Sequence, residues 1–318
     1  MKILANDGIS SEGVEALEKG GFTVLTNNIP QGELVEEINN QGISGLLVRS
    51  ATTVRQDLID ACPGLKLIGR GGVGMDNIDV DYARSKGLHV INTPGASSQS
   101  VAELVMANLF SLSRSIFHSN RVMPTNGNTE FKALKKKYAK GQELKGKTIG
   151  IVGFGRIGQS LASYCLGCGM TVIPIDRSVK SFNIPLNING QDMDFNLESV
   201  SDFEATLPSL DYISLHVPKQ ANGNAVINQS EIDKMKSGVI LINAARGGVV
   251  NEDALITGIN SGKIRAAALD VFENEPSPRA DLLAHEQIAS TPHIGAATVE
   301  AQSRIGEELA EQIISLLK

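Results

Sequence analysis

Short runs of Val, Ile and Leu, each followed by a stretch with helical spacing, recur from one end of this sequence to the other. That alternation limits the fold more than any other feature. "KILAN", "FTVLT", "GLLVR", "LKLIGR" and "LHVINT" fall in the amino-terminal third, and a second series runs through "KTIGIVG", "MTVIPID", "DYISLHV", "VILINAA", "AAALDV" and "IAST". Brief apolar runs alternating with helices are the pattern of βαβ units, whose parallel strands are covered on both faces. The sequence therefore predicts an α/β protein with two doubly wound parallel sheets. Its 318 residues suffice for two domains of ordinary size, each with its own core.

Between the two series lies "SQSVAELVMANLFSLSRSIFHSN", with Ser100 and Glu103 spaced as a capping box at the start of a long apolar helix. The last stretch, "TVEAQSRIGEELAEQIISLLK", is amphipathic and follows the end of the second sheet, so it is expected to return to the first domain. The predicted division is 1–98 plus 292–318 for one domain and 99–291 for the other.

"GIVGFGRIGQSLA" holds Gly153, Gly155 and Gly158 in the spacing G-x-G-x-x-G. Alone the motif is weak, but here it follows a strand and opens a helix, the context of a dinucleotide fingerprint. Gly153 makes the tight turn, Gly155 admits a pyrophosphate to the backbone, and Gly158 lets helix and strand pack closely. The phosphates would rest on a helix amino terminus, whose free N–H groups favour an anion. "MTVIPID" then ends in Asp176, placed to accept the ribose hydroxyls of NAD and to repel the extra phosphate of NADP. Arg177 beside it works against that preference.

Composition excludes several other functions. A net charge of −6 argues against a nucleic-acid binder that neutralises phosphates. No apolar run is long enough to span a membrane, and "MKILANDGIS" lacks a signal-peptide core, so no membrane partner and a cytoplasmic location are expected. Cys62, Cys165 and Cys168 are too few for a disulfide scaffold, and "CLGC" has no second ligand pair, so no metal site is expected and packing explains it better.

An enzyme that moves hydride to or from a carbonyl needs a group to bind and polarise the substrate, a proton donor or acceptor, and often a partner for that group. Such groups belong at the carboxyl ends of strands. "LINAARGGVV" places Arg246 there, "ALDVFENEP" places Glu275, and "STPHIGAAT" places His293. A lone loop histidine is an ordinary structural residue, but a carboxylate beside it would favour the imidazolium and supply a proton.

With these segments in place the chain resembles the D-isomer-specific 2-hydroxyacid dehydrogenase family, and within it the D-3-phosphoglycerate dehydrogenases. The likeness extends over nearly the whole chain: "LLVRSATTV", "IGRGGVGMDNID", "INTPGASSQSVAEL", "GIVGFGRIG", "NAARGGVVNEDAL", "AALDVFENEP" and "TPHIGAAT" occur in that family's order. The resemblance implies a Rossmann NAD domain inserted in a flavodoxin-like substrate domain. It implies that Arg246 grips the substrate carboxylate and carbonyl, His293 exchanges the proton, and Glu275 hydrogen-bonds the imidazole.

For the cofactor it adds Arg156 and Ile157 of the glycine loop, His216, Val217 and Pro218, then Ala244 and Ala245 before Arg246. Val73, Asp270, His293 and Gly295 complete that set. Gly72, Val73 and Gly74 offer N–H groups to a substrate carboxylate, although a purely structural turn would need the same glycines. Arg49 and Arg70, at strand ends, match positions where the phosphoglycerate enzymes hold the substrate phosphate, with Ser50 as a further substrate contact; an ordinary surface arginine is the alternative for each.

The expected activity is NAD-dependent oxidation of D-3-phosphoglycerate to 3-phosphohydroxypyruvate, the first step of serine biosynthesis. One alternative is a dehydrogenase for glyoxylate, 2-hydroxyglutarate or lactate; another, of a different class, is an NAD-sensing corepressor-like binding protein. A formate dehydrogenase is disfavoured, since that enzyme pairs its histidine with glutamine where this chain has Glu275.

"PTNGNTEFKALKKKYAKGQELKGKT" departs from the family's shorter, tryptophan-containing segment. A homodimer or tetramer is expected through the helix before it, with one of Lys135, Lys136 or Lys137 approaching a neighbour's substrate phosphate. The alternative for the lysines is a solvated face. Serine feedback through an added regulatory domain is not expected, because the sequence ends after the final helix.

Overall fold

A computed structural model describes residues 1–317. They divide into two compact units: Met1–Ser100 together with the chain from Ala296 onward, and Val101–Gly295. The divisions thus fall slightly later than the 98/99 and 291/292 steps expected from sequence, and His293 and Gly295 belong to the second unit.

The first unit contains β1 (Lys2–Ala5), β2 (Thr23–Leu25), β3 (Ile43–Val48), β4 (Leu67–Arg70) and β5 (His89–Asn92). They lie in the order β2-β1-β3-β4-β5, all parallel, which is the flavodoxin order. Because side chains alternate along each strand, Leu4, Leu46 and Ile68 enter one core while Ile3, Leu47 and Leu67 enter the other. The second of these cores is closed by Ile305, Leu309 and Ile313 of the final helix, Val299–Leu317. The returning helix predicted from sequence is therefore observed.

The second unit contains β6 (Thr148–Val152), β7 (Thr171–Ile175), β8 (Ser181–Ile188), β9 (Gln191–Glu198), β10 (Tyr212–Leu215), β11 (Val239–Asn243), β12 (Ile264–Leu269) and β13 (Ile288–Ser290). Its main sheet is parallel, in the order β13-β12-β11-β10-β6-β7. Strand order reverses between β6 and β10, so the carboxyl ends of these two strands form the switch point where such sheets take ligands.

Two features differ from the sequence expectation. The chain after β7 does not continue into a covering helix but forms the antiparallel hairpin β8–β9, and Val200 then pairs singly with Ile175 in parallel. Secondly, the long helix is two, Ser98–Ser113 and Ile116–Lys137, separated at Ser115, whose φ is 53°. The Arg265 guanidinium donates to the carbonyls of Leu112 and Ser113 at 3.2 Å each, satisfying acceptors that a continuing helix would have used. The first helix begins at Ser98, so Ser100 lies inside its first turn, and Glu103 accepts from the Tyr164 hydroxyl at 2.8 Å.

The second helix contains Pro124, is kinked at Glu130, and ends with Lys135, Lys136 and Lys137 in its last turn, where cations complement the helix dipole. Cys165 is buried, and that burial pushes its thiol up, away from the reactive thiolate. No helix among the described residues is long and apolar enough to cross a membrane, and no cluster among them could hold a metal ion.

Candidate active site

β6 delivers the chain into a turn at Gly153, φ 89°, directly against β10's exit. A Cβ at Gly153 would lie 2.5 Å from the His216 carbonyl oxygen, and one at Gly158 would lie 2.6 Å from the Gly153 carbonyl oxygen. Side chains are excluded at both points by backbone. Gly155, in contrast, has nothing within 4 Å of its Cβ position. It is the N-cap of helix Arg156–Gly167 and no side chain caps that terminus. An open glycine over uncapped helix N–H groups fits a dinucleotide pyrophosphate. Arg156 is exposed and Ile157 half-buried at the first positions of that helix.

Asp176 follows β7 and faces the same loop: its Oδ2 accepts from Phe154 N at 3.1 Å, and its Oδ1 from Arg177 N at 2.7 Å. The Arg177 side chain is exposed. On the other side of the switch point, His216 is half-buried; its Nε2 lies 2.8 Å from Ser214 Oγ, and its Nδ1 is enclosed without a partner among the described residues. Val217 is half-buried beside Gly153, and Pro218 is exposed.

The three candidate catalytic residues stand just past β11, β12 and β13, which are consecutive neighbours in the sheet. Asn243 ends β11 and shapes the turn that follows, donating to Arg246 O at 2.9 Å and accepting from Ala245 N at 3.1 Å, with Ala244 half-buried between. Arg246 Nη1 donates to Ala245 O at 2.6 Å. Glu275 Oε1 accepts from Phe272 N at 2.9 Å, and its Oε2 lies 2.8 Å from His293 Nδ1.

That contact decides the tautomer. A carboxylate can only accept, so Nδ1 carries its proton whatever the charge on the ring, and Nε2 is the nitrogen that gains or loses one. Nε2 has no partner among the described residues. An arginine, a solvent-accessible imidazole nitrogen and a carboxylate orienting that imidazole form a constellation suited to carbonyl–alcohol interconversion.

In the first unit, β3 and β4 pair with Val48 opposite Arg70, so Arg49 and Arg70 leave adjacent strand ends. Both are half-buried. The Arg70 guanidinium lies over Gly72, where a Cβ would collide with it. Arg49 has no side-chain hydrogen bond or ion pair among the described residues, although its backbone is tightly held: Arg49 N donates to Asp7 Oδ2 at 2.6 Å, and Asn77 Nδ2 donates to Arg49 O at 2.7 Å. Ser50 is exposed beside it, as is Val73, while Gly74 is half-buried.

Comparison with known proteins identifies the family. Residues 106–295 match the family model described as D-isomer specific 2-hydroxyacid dehydrogenase, NAD binding domain. The chain belongs to that family. It is 41% identical to the hydroxypyruvate reductase of Thermotoga maritima, over 99% of this chain and 98% of that one. It is 39% identical to the D-3-phosphoglycerate dehydrogenase of Methanocaldococcus jannaschii, with all of this chain covering 58% of that protein. Among solved structures, the TT0316 protein of Thermus thermophilus superposes with a TM-score of 0.85 at 29% identity, covering 100% of this chain and 97% of that one.

This 2-hydroxyacid dehydrogenase is therefore an oxidoreductase with NAD as its cofactor. Asp270, proposed from sequence as a cofactor contact, also shapes the histidine loop. It is buried, and its carboxylate accepts from Thr291 Oγ1 at 2.6 Å, Ile294 N at 2.8 Å and Gly295 N at 2.8 Å. These bonds hold His293 at φ 54°, a left-handed conformation that surrounding structure must impose on a residue with a Cβ.

Sequence reasoning missed Phe182 of the hairpin, whose ring stacks edge-on against Phe154 of the glycine loop at 4.9 Å between centroids. It also missed Asp7 and Asn77, the two residues that fix the Arg49 backbone.

Burial holds the His216 imidazole well below its ordinary 6.5, at about 4. The unfolded chain takes up a proton near pH 6.5 that the folded chain refuses until about pH 4, so this residue's contribution is present above 6.5 and lost as pH falls through that window. Allowing for its partial exposure, the loss is about 2 kcal/mol. Denaturant titrations at several pH values should show wild type losing that much more stability on acidification than His216→Gln. Parallel curves for the two proteins would contradict the assignment.

Proposed function

We propose that this dehydrogenase interconverts D-3-phosphoglycerate and 3-phosphohydroxypyruvate, as the entry to serine biosynthesis. The observation that carries the phosphorylated substrate is half-buried Arg49, whose side chain has no hydrogen-bond or ion-pair partner among the described residues, next to Arg70 on the adjoining strand end. A guanidinium without a protein partner is open to an anion, and its fork suits phosphate.

In the oxidation direction His293 Nε2 would take the C2 hydroxyl proton, and bound NAD would supply the hydride acceptor. Reduction reverses both transfers. Arg246 holds the carboxylate and polarises the C2 oxygen. Glu275, bonded to Nδ1, keeps Nε2 in position for that transfer. Gly155 and the helix amino terminus behind it would hold the pyrophosphate, and Asp176 the adenosine ribose.

Arg49→Ala should lower kcat/KM for phosphoglycerate by about 1.5 to 3 kcal/mol, the range for a charged hydrogen bond, and spare an unphosphorylated hydroxy acid. An equal loss on both substrates would remove the phosphate site. A second reading, reduction of hydroxypyruvate itself, is supported by the Thermotoga relative, which is matched over 98% of its length.

Asp176 gives a separate expectation. NAD should be preferred over NADP by about 100-fold in kcat/KM, which requires only about 2.7 kcal/mol of repulsion from the 2'-phosphate. Equal values would mean that Arg177 outweighs Asp176.

Phe110, Ile116, Met123 and Phe131 are large apolar side chains exposed on the two helices between Ser98 and Lys137, and a second copy of this chain is the proposed cover. Sedimentation at working concentration tests the dimer.

A further inference from the structure

Two acidic residues outside the catalytic set join the Arg246 segment to the Glu275 segment. The first contact is made by backbone alone: Gly247, immediately after Arg246, lies so close to the Phe272 carbonyl that a Cβ could not fit between them. Five residues later, Glu252 opens the helix Glu252–Asn260, and its N–H is one of the donors that a helix amino terminus leaves without an intrahelical acceptor. Glu273 Oε1 accepts that N–H at 3.1 Å, and Glu252 Oε1 accepts the N–H of Glu273 at 2.9 Å.

The exchange is reciprocal, and the two partners differ in exposure. Glu252 is 5% exposed, whereas Glu273 is exposed. Burial pushes the Glu252 carboxyl up from its ordinary range, and the Glu273 N–H acts in the opposite sense. A buried carboxylate is retained only where its hydrogen bonds compensate desolvation, and here the compensating donor is backbone two residues before Glu275. One residue before Glu273, Phe272 N donates to Glu275 Oε1 at 2.9 Å. The loop that presents Glu275 to His293 is thus tied at Phe272 and Glu273 to the segment that presents Arg246.

We infer that Glu252 and Glu273 are positioning residues, which set the Glu275 carboxylate against His293 Nδ1 by exchanging backbone hydrogen bonds across the two segments. The inference rests on the proposed proton exchange at His293, and it acts through Glu275 alone. Neither residue touches substrate or cofactor in this role.

The test is a mutant cycle on 3-phosphohydroxypyruvate reduction by NADH, read together with the ring-nitrogen resonances of His293 in 15N-histidine-labelled protein. Glu252→Ala should lower kcat about tenfold with the NADH KM unchanged, and the same substitution in a Glu275→Gln background should cost less than about twofold, because coupled residues are not additive. Glu252→Gln keeps an oxygen to accept the Glu273 N–H and should restore most of kcat. Glu273→Ala, at an exposed side chain, should give a smaller loss of the same kind.

Glu252→Ala and Glu273→Ala should each move the His293 nitrogen signals toward those of Glu275→Gln. Unmoved signals would overturn the inference whether or not the chosen oxo acid is turned over. Full, multiplicative losses in the Glu275→Gln background would overturn it too, by showing that the pair acts elsewhere. Failure of wild type to reduce the phosphorylated acid, with the resonance shifts intact, would count against the proposed substrate and leave the positioning role standing.

Discussion

His293→Asn is expected to bind NADH as wild type does and to lose 10²- to 10⁴-fold in kcat, roughly 2.7 to 5.5 kcal/mol of barrier. The expectation follows from which atom of the ring is engaged. Nδ1 is 2.8 Å from Glu275, so the ring is anchored through one nitrogen and works through the other. Asparagine supplies neither a proton nor a place to put one at the Nε2 position. The glycine loop and Asp176 are untouched by the change, so cofactor affinity should hold. Fluorescence titration with NADH and steady-state turnover separate the two effects, and a variant with wild-type kcat would remove His293 from the chemistry.

Gly247→Ala is expected to be the most damaging single methyl in the second unit. Its added carbon would meet the Phe272 carbonyl oxygen and carbon, which are backbone and cannot rotate aside. Either the Arg246 segment or the Glu275 segment must shift, and a small-to-large change against rigid surroundings costs about 1 to 3 kcal/mol, sometimes more. The same displacement separates Arg246, the proposed substrate ligand, from the histidine's partner, and a misplacement near 1 Å is worth about 100-fold in rate. We therefore expect at least about a 100-fold loss of kcat/KM together with a lower Tm. Wild-type kcat/KM in Gly247→Ala would show that the two segments need no fixed register.

Much of this was open to inspection in the sequence, for reasons that differ from element to element. Parallel strands are buried on both faces, so "KTIGIVG" and "VILINAA" stand out as unbroken apolar runs, and the residues just beyond such runs are where doubly wound sheets place their chemistry. Arg246, Glu275 and His293 were proposed on that ground and through family resemblance, and their positions past β11, β12 and β13 and the Glu275–His293 contact are what the structure adds. The hairpin β8–β9 was not, although its turn is formed by Asn189 and Gly190, with φ of 53° and 80°, between strands of alternating character. Asn-Gly in that setting is a strong hairpin signal, and it was masked by the expectation of a crossover helix after Asp176.

The break at Ser115 had no local cause to read. The carbonyls of Leu112 and Ser113 left by the break are met by Arg265, about 150 residues away. The Glu252–Glu273 exchange is hidden in the same manner, since "NEDAL" and "FENEP" reveal their relation only when β11 and β12 lie side by side.

The account is tested most directly by kcat/KM for reduction of 3-phosphohydroxypyruvate, hydroxypyruvate and glyoxylate with NADH. It predicts turnover that depends on His293, with the phosphorylated acid ahead of hydroxypyruvate by at least about tenfold, the least that one charged hydrogen bond from Arg49 should contribute. Faster turnover of hydroxypyruvate would contradict the phosphate site, and no turnover of any of the three would contradict the hydride exchange on which the account rests.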